Sequence, residues 1–210
     1  MNDTAITIFH ALLEHLSYTL ISVAIGFVLG LVLGILLART PSVSKFMLPV
    51  LSVLNTIPGI VFIGLLYLYM GMQPATVIVA LSIYAMFPVL KNTFTGITAV
   101  DAQYKEAARG CGMDSMQRLF MVELPLAMPT IIGGLRLSTV YTVSWAVLAA
   151  MIGQGGLGDF IYQGVSSNNN TLILQGAIPA ALLAFALGTL VDALQRHVVP
   201  RGLRKGRGEK

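Results

Sequence analysis

Apolar and polar positions fall in long blocks along this chain. Apolar stretches cover residues 17–38, 46–70, 75–94, 130–152 and 172–194. About 20 apolar residues at 1.5 Å rise each cross the roughly 30 Å hydrocarbon core of a bilayer. The pattern therefore predicts an all-α integral membrane protein with about five transmembrane helices in one domain, residues 1–210. Pro49 and Pro58 interrupt the second stretch, which predicts a kinked helix or two shorter pieces where protein neighbours satisfy the freed backbone groups. The first stretch is too long for the apolar core of a secretory signal and lacks Lys or Arg ahead of it, so it reads as an uncleaved span.

Charge gives these spans a direction. The chain has 13 Lys and Arg residues, and the N-terminal fifteen residues, the 71–74 turn and the 153–171 loop contain none. Arg39 and Lys45 flank the first connection, Lys91, Lys105, Arg109, Arg118 and Arg136 lie in or beside the third, and the rest crowd the tail at 196–210. With five spans this puts every basic residue on one side, which the positive-inside rule makes the cytoplasm. The N-terminus is then expected outside, with the long polar connection (about 96–129) and the tail inside. A net charge of +4 invites a nucleic-acid reading, but no aromatic residues interleave the basic ones for base stacking, and none is expected to bind.

Composition sharpens the question posed by the polar connection. The chain is 56% hydrophobic and 10% charged, with mean hydropathy +0.80. Against that background, residues 106–125 form a charged island whose retention implies something to bind outside the bilayer. Residues 105–109 are good helix formers that end near Gly110 and Gly112, and Asp114 or Ser115 is placed to cap a second short helix through about Val122. Leu124-Pro125 is expected to stop it. Two short helices meeting at glycines make a compact knob.

The island resembles the cytoplasmic loop of bacterial ATP-binding-cassette importer permeases, whose pattern is E-A-A, three residues, G, nine residues, I, one residue, L-P. Glu106-Ala107-Ala108, Gly112, Val122 and Leu124-Pro125 match it, with valine for isoleucine the one departure. The resemblance implies a methionine-permease-like importer fold in which the knob is a coupling helix seated in a groove of a separate ATPase. The stretches Asn55-Thr56-Ile57-Pro58, Lys91-Asn92-Thr93-Phe94-Thr95-Gly96 and Ile152 to Asp159 resemble the permeases for glycine betaine, carnitine and choline. A methionine or other small-solute permease is the alternative. The implied partners are two ATPase copies, a second permease chain (identical or related) and an extracytoplasmic solute-binding protein, all at the inner membrane of a bacterium. No solute-binding domain is expected to be fused to the chain.

Gly26, Gly30 and Gly34 recur every four residues and offer a face for close helix contact. Asn55, Tyr84, Tyr141 and Trp145 are candidates to line a solute path, with Tyr67, Tyr69 and Phe87 as further aromatics, because aromatic faces attract quaternary ammonium groups. Arg136 reads as snorkelling or paired with Asp192. Gly153-Gln154-Gly155-Gly156-Leu157-Gly158 satisfies a dinucleotide fingerprint but follows a span instead of a strand, so it reads as a tight turn at the outer face. No cofactor, metal site or catalytic residue is expected: His10, His15 and His197 lack ligand spacing, and no nucleophile–base pair is recognisable. The single cysteine, Cys111, cannot form an intrachain disulfide.

Overall fold

The computed structural model describes residues 3–199, all of whose regular elements are helical. The basic residues from Arg201 to Lys210 lie outside the described residues. Helix α1 (Asp3–Arg39) runs far ahead of the expected 17–38 and, at 37 residues, is roughly 55 Å long. It packs along α4 (Pro74–Thr98), which packs in turn on α7 (Leu124–Ala146). These three form the centre of the molecule. Helix α9 (Asn170–Val198) lies along α7 and stays largely exposed, as a lipid-facing helix would.

Small residues and hydroxyl groups hold the centre together. On α1, a Cβ at Gly26 would stand 2.6 Å from Ala85 Cβ, one at Gly30 2.6 Å from Met86 O, and one at Gly34 2.6 Å from Thr93 Cβ. The two backbones thus approach as closely as glycine allows. Ser138 Oγ donates to Ala85 O at 2.7 Å, joining α7 to α4, and Ser22 Oγ donates to Ile78 O at 3.3 Å, joining α1 to α4. Tyr18, Val77, Leu81, Ala146 and Ala149 form one apolar cluster, and Ile97, Leu119, Ala127 and Ile131 form another nearer the knob. Arg136 Nε meets Asp192 Oδ1 at 2.8 Å, tying α7 to α9.

One sequence expectation is resolved between its alternatives and two change. The second apolar stretch is α2 (Pro41–Leu54) and α3 (Gly59–Met70), bent by 90°. Pro49 is carried inside α2, whereas Pro58, extended at ψ 133°, sets the break because the residue before a proline is pushed out of helix. Among the described residues, four helical stretches are thus long and apolar enough to cross a membrane, or five if the bent pair is one span. The 153–171 connection, expected as a loop, contains α8 (Leu157–Ser166), which forms a hairpin with α9 through the Asn169 cap on Thr171 and Leu172. Leu124-Pro125 does not stop the helix after the knob: the chain runs straight into α7.

Candidate functional site: an ion-clamped knob and an aromatic cavity

The knob is built by local capping. Helix α5 (Ala102–Gly110) starts at Asp101, whose side chain accepts from Gln103 N at 3.0 Å. Past its end the backbone reverses at Gly112, φ +76°, a left-handed conformation that glycine adopts without a Cβ penalty. Asp114 then accepts from Met116 N (2.7 Å) and Gln117 N (2.9 Å), while Gln117 Oε1 accepts from Asp114 N at 3.0 Å. This reciprocal capping box starts α6 (Ser115–Arg118). A π-helical turn, Leu119–Glu123, follows and passes the chain to α7. Pro125 has no N–H for the carbonyl four residues back, and the widened turn, with Leu124 N–H reaching Leu119 O, lets the helix continue regardless.

A buried carboxylate fastens the knob to the bundle. Glu123, whose side chain is 4% exposed, pairs through Oε1 with Arg118 Nε at 3.0 Å and through Oε2 with Arg39 Nη2 at 3.2 Å. Arg39 also donates to Ser115 Oγ (3.4 Å) and Ser115 O (3.3 Å). The end of α1, the start of α6 and the foot of α7 thereby share one ionic joint. This joint was not among the residues the sequence pattern singled out. A lone carboxylate inside the otherwise apolar run from Leu119 to Leu126 was the available signal. Of the residues matching the coupling pattern, Glu106, Ala107 and Gly112 are exposed, Ala108 is buried, and Val122, Leu124 and Pro125 are half-buried. Tyr104, Met116 and Phe120 expose apolar surface around them.

Helices α2, α4 and α7 line a half-open cavity of about 490 Å³ whose wall includes Ser52, Asn55, Phe87, Lys91, Asn92 and Tyr141. A smaller one of about 120 Å³ shares Asn55, Pro88 and Tyr141 with it and adds Tyr84 and Trp145. The four path candidates therefore meet around one small space. Tyr84 and Trp145 lie edge to face with centroids 3.7 Å apart, Phe62 stands 5.4 Å from Tyr84, and Tyr84 Oη donates to Ile57 O at 2.7 Å. Tyr67 and Tyr69 sit exposed on α3 and line neither cavity.

At the far end of the bundle, Gly153, Gly155 and Gly156 all have φ near +70 to +80°. The N-terminal part of α1 leans on this turn: Gly156 N donates to Glu14 Oε2 at 3.1 Å, and Tyr18 Oη donates to Gln154 O at 3.0 Å. His15 is fully buried, with Nε2 2.9 Å from Val143 O. Burial first, and then the charge of Glu14, push the Asp159 carboxyl above its ordinary range. Among the described residues no three His, Cys, Asp or Glu side chains gather as metal ligands.

A bundle of long apolar helices with one capped polar knob between two of them defines a class: a multi-pass membrane protein. The chain belongs to the binding-protein-dependent transport system inner membrane component family, whose model matches residues 26–204. It is 40% identical to the carnitine transport permease protein OpuCB of Listeria monocytogenes, over 92% of this chain and 89% of that one. It is 35% identical to the glycine betaine/carnitine/choline transport system permease protein OpuCB of Bacillus subtilis, over 91% and 88%. In fold it is similar to a chain of the inward-facing MetNI methionine ABC transporter, with TM-score 0.86 over 95% of this chain and 100% of that one, at 20% identity.

Proposed function

We propose that this chain is the permease subunit of an ATP-driven, binding-protein-dependent importer of quaternary ammonium compatible solutes: glycine betaine, carnitine and choline. One observation carries the coupling role. The stretch with the E-A-A to L-P spacing folds as a single capped unit, joined by ions to α1 and continuous with α7. A push on such a unit moves two spans together. The solute class is supported by the relatives named for carnitine, betaine and choline along most of their length, whereas the methionine transporter shares the fold at 20% identity.

The chain itself is no enzyme in this reading. A loaded binding protein docks outside, and ATP binding closes two ATPase subunits whose grooves hold the coupling knobs, Glu106, Ala107, Ala108 and Gly112 at the contact. The paired permeases, identical or related, turn outward; hydrolysis resets them and the solute leaves to the cytoplasm. Knob and tail face the cytoplasm and the N-terminus lies outside the inner membrane, an arrangement supported by the one-sided basic residues. Asn55, Tyr84, Tyr141 and Trp145 border the solute path.

The test is uptake of radiolabelled glycine betaine, carnitine, choline and methionine by cells carrying the complete transporter and by cells lacking this chain alone. Loss of quaternary ammonium uptake with methionine unaffected is expected. Loss of methionine uptake instead would overturn the solute assignment, and no change in any of the four would remove it.

A further inference from the structure

Beside the ionic joint, the ends of α1 and α4 and the helices of the knob line a half-open cleft of about 180 Å³. Arg39, Lys105, Arg109 and Arg118 all reach its wall, against the single carboxylate of Glu123. Both oxygens of that carboxylate are taken, one by Arg118 Nε and the other by Arg39 Nη2. Lys105 Nζ donates to the Ile97 carbonyl at 3.2 Å, and Arg109 has no ion-pair or hydrogen-bond partner among the described residues. A guanidinium carries five N–H donors, yet Arg118, its side chain 14% exposed, has Glu123 as its sole partner among those residues. The cleft thus holds more cationic donors than the chain supplies anions to meet. A phosphate, with several acceptor oxygens, is the chemistry that fits such a set.

The place of the cleft selects the source of that phosphate. Arg39 is the last residue of α1, and Ile97 and Thr98 close α4, so the cleft lies where two helices long enough to cross a membrane come to an end. Val28, Val32 and Leu36 are exposed on α1 at spacings of four, and Arg39 follows Leu36 by three, which sets all four on one helix face. An apolar stripe that runs into a basic cleft matches a phospholipid end to end, with an acyl chain along α1 and the phosphate among the cations. We propose that this cleft binds the phosphodiester headgroup of an anionic phospholipid, held chiefly by Lys105 and Arg109, which have no carboxylate partner. A zwitterionic headgroup brings its own ammonium into a cleft already rich in cations and is held less well. The site goes beyond the transport reading: it depends on the chain lying in a membrane, whatever solute is carried.

The test places the complete transporter in nanodiscs of phosphatidylcholine that contain a trace of phosphatidylglycerol with a photoreactive acyl chain, or of the matching phosphatidylcholine. Label is mapped by peptide mass spectrometry on residues 28–39 and, as an internal control, on the exposed face of α9 around Leu182 and Phe185. Relative to α9, α1 is expected to take about tenfold more label from the phosphatidylglycerol probe than from the phosphatidylcholine one. Lys105→Gln combined with Arg109→Gln should lower the phosphatidylglycerol label on α1 about tenfold, the effect of removing two cations near a membrane surface, and leave α9 unchanged. Lys105→Arg combined with Arg109→Lys keeps both charges and should stay within about twofold of wild type. Label on α1 that ignores the headgroup, or a double glutamine variant that labels like wild type, overturns the proposal. Free glycerol phosphate that displaces the probe as well as unlabelled phosphatidylglycerol does would assign the cleft to a soluble anion. Label that appears only once the ATPase is stripped away would assign it to an acidic protein surface, and either result also overturns the lipid site. None of these readings involves solute uptake, so a failure of the importer assignment is seen separately, in the uptake test above.

Discussion

The two ends of the bundle are built by opposite means. At the knob, side chains fasten what one glycine reversal at Gly112 leaves open: Asp101 and Asp114 cap the short helices, and Glu123 gathers Arg39 and Arg118 into a buried joint. At the glycine turn, the backbone does the work. Three residues sit at positive φ, and the links across to α1 are two hydrogen bonds, Gly156 N–H to Glu14 and Tyr18 Oη–H to Gln154 O, with no ion pair. A joint made of paired charges resists displacement, since pulling one partner away strands the other in a dry place. A turn made of glycines yields more readily. Under the proposed function, the contrast fits a molecule pushed as a solid body at one end and contacted by a changing partner at the other.

Breaking the joint gives the largest effect. Glu123→Ala leaves two arginines facing each other without the carboxylate, which costs about 3 kcal/mol, the low end for a buried pair because Arg39 is partly exposed. Thermal unfolding of the solubilised protein should show that loss, with Glu123→Gln between the two. Solute carried per ATP hydrolysed should fall as well. A Glu123→Ala protein that melts and transports like wild type would break the contrast at its firm end. Next in size is Gly30→Val. Its Cβ would meet the Met86 carbonyl oxygen at 2.6 Å and Val89 Cβ at 2.8 Å, and backbone cannot step aside as a side chain does. Overpacking there costs about 1–3 kcal/mol. Gly64→Val, with nothing within 4 Å of its Cβ, is the matched control and should leave stability unchanged.

These sites differ in how far the sequence reveals them. Apolar blocks report spans directly, because burial in lipid needs only length and composition, so the regions of α4, α7 and α9 were legible to within a few residues at most ends. The caps at Asp114 and near Gly110–Gly112 were legible too, since capping is local chemistry. The 90° bend between α2 and α3 was half legible: Pro58 marks a break but no angle. Helix α8 was hidden from a reading made for spans, because ten residues are too few to cross a bilayer, although their amphipathic pattern was there to mark a short helix. The π-turn was hidden because Pro125 looks like a terminator until the wider turn upstream is seen. The Arg39–Glu123 pair was hidden for a different reason. Nothing in either local sequence names the other, and the contact exists only once α1 and α7 are side by side.

A smaller effect is expected from Gly112→Ala. No atom lies within 4 Å of the added Cβ, so the cost is that of holding φ +76° with a side chain, about 1–2 kcal/mol. Because the surroundings are open, folding should survive and coupling should suffer: ATP hydrolysis continues while uptake falls. Asparagine, which tolerates this conformation better, should be milder than alanine. Normal uptake in a bulkier Gly112 variant would remove this residue from the ATPase contact.

The smallest effect tests the soft end. Asp159 is half-buried near Glu14, and its raised titration means that the folded protein holds its proton at a pH where the unfolded chain has released it. Stability attributable to Asp159 is therefore greatest below the ordinary carboxylate range and declines as pH rises through the raised one. Asparagine does not titrate. Asp159→Asn should match wild type at about pH 3 and be slightly more stable at about pH 7, the gap opening between the ordinary and the raised carboxyl range. Melting temperature followed across that interval reads the gap directly. Glu14→Gln keeps an acceptor for Gly156 N–H while removing the charge, so it should narrow the gap without closing it, burial being the larger cause. A gap that is flat with pH, or that opens towards acid, would mean that Asp159 is better satisfied than its surroundings imply, and the glycine end would then be as firmly built as the knob.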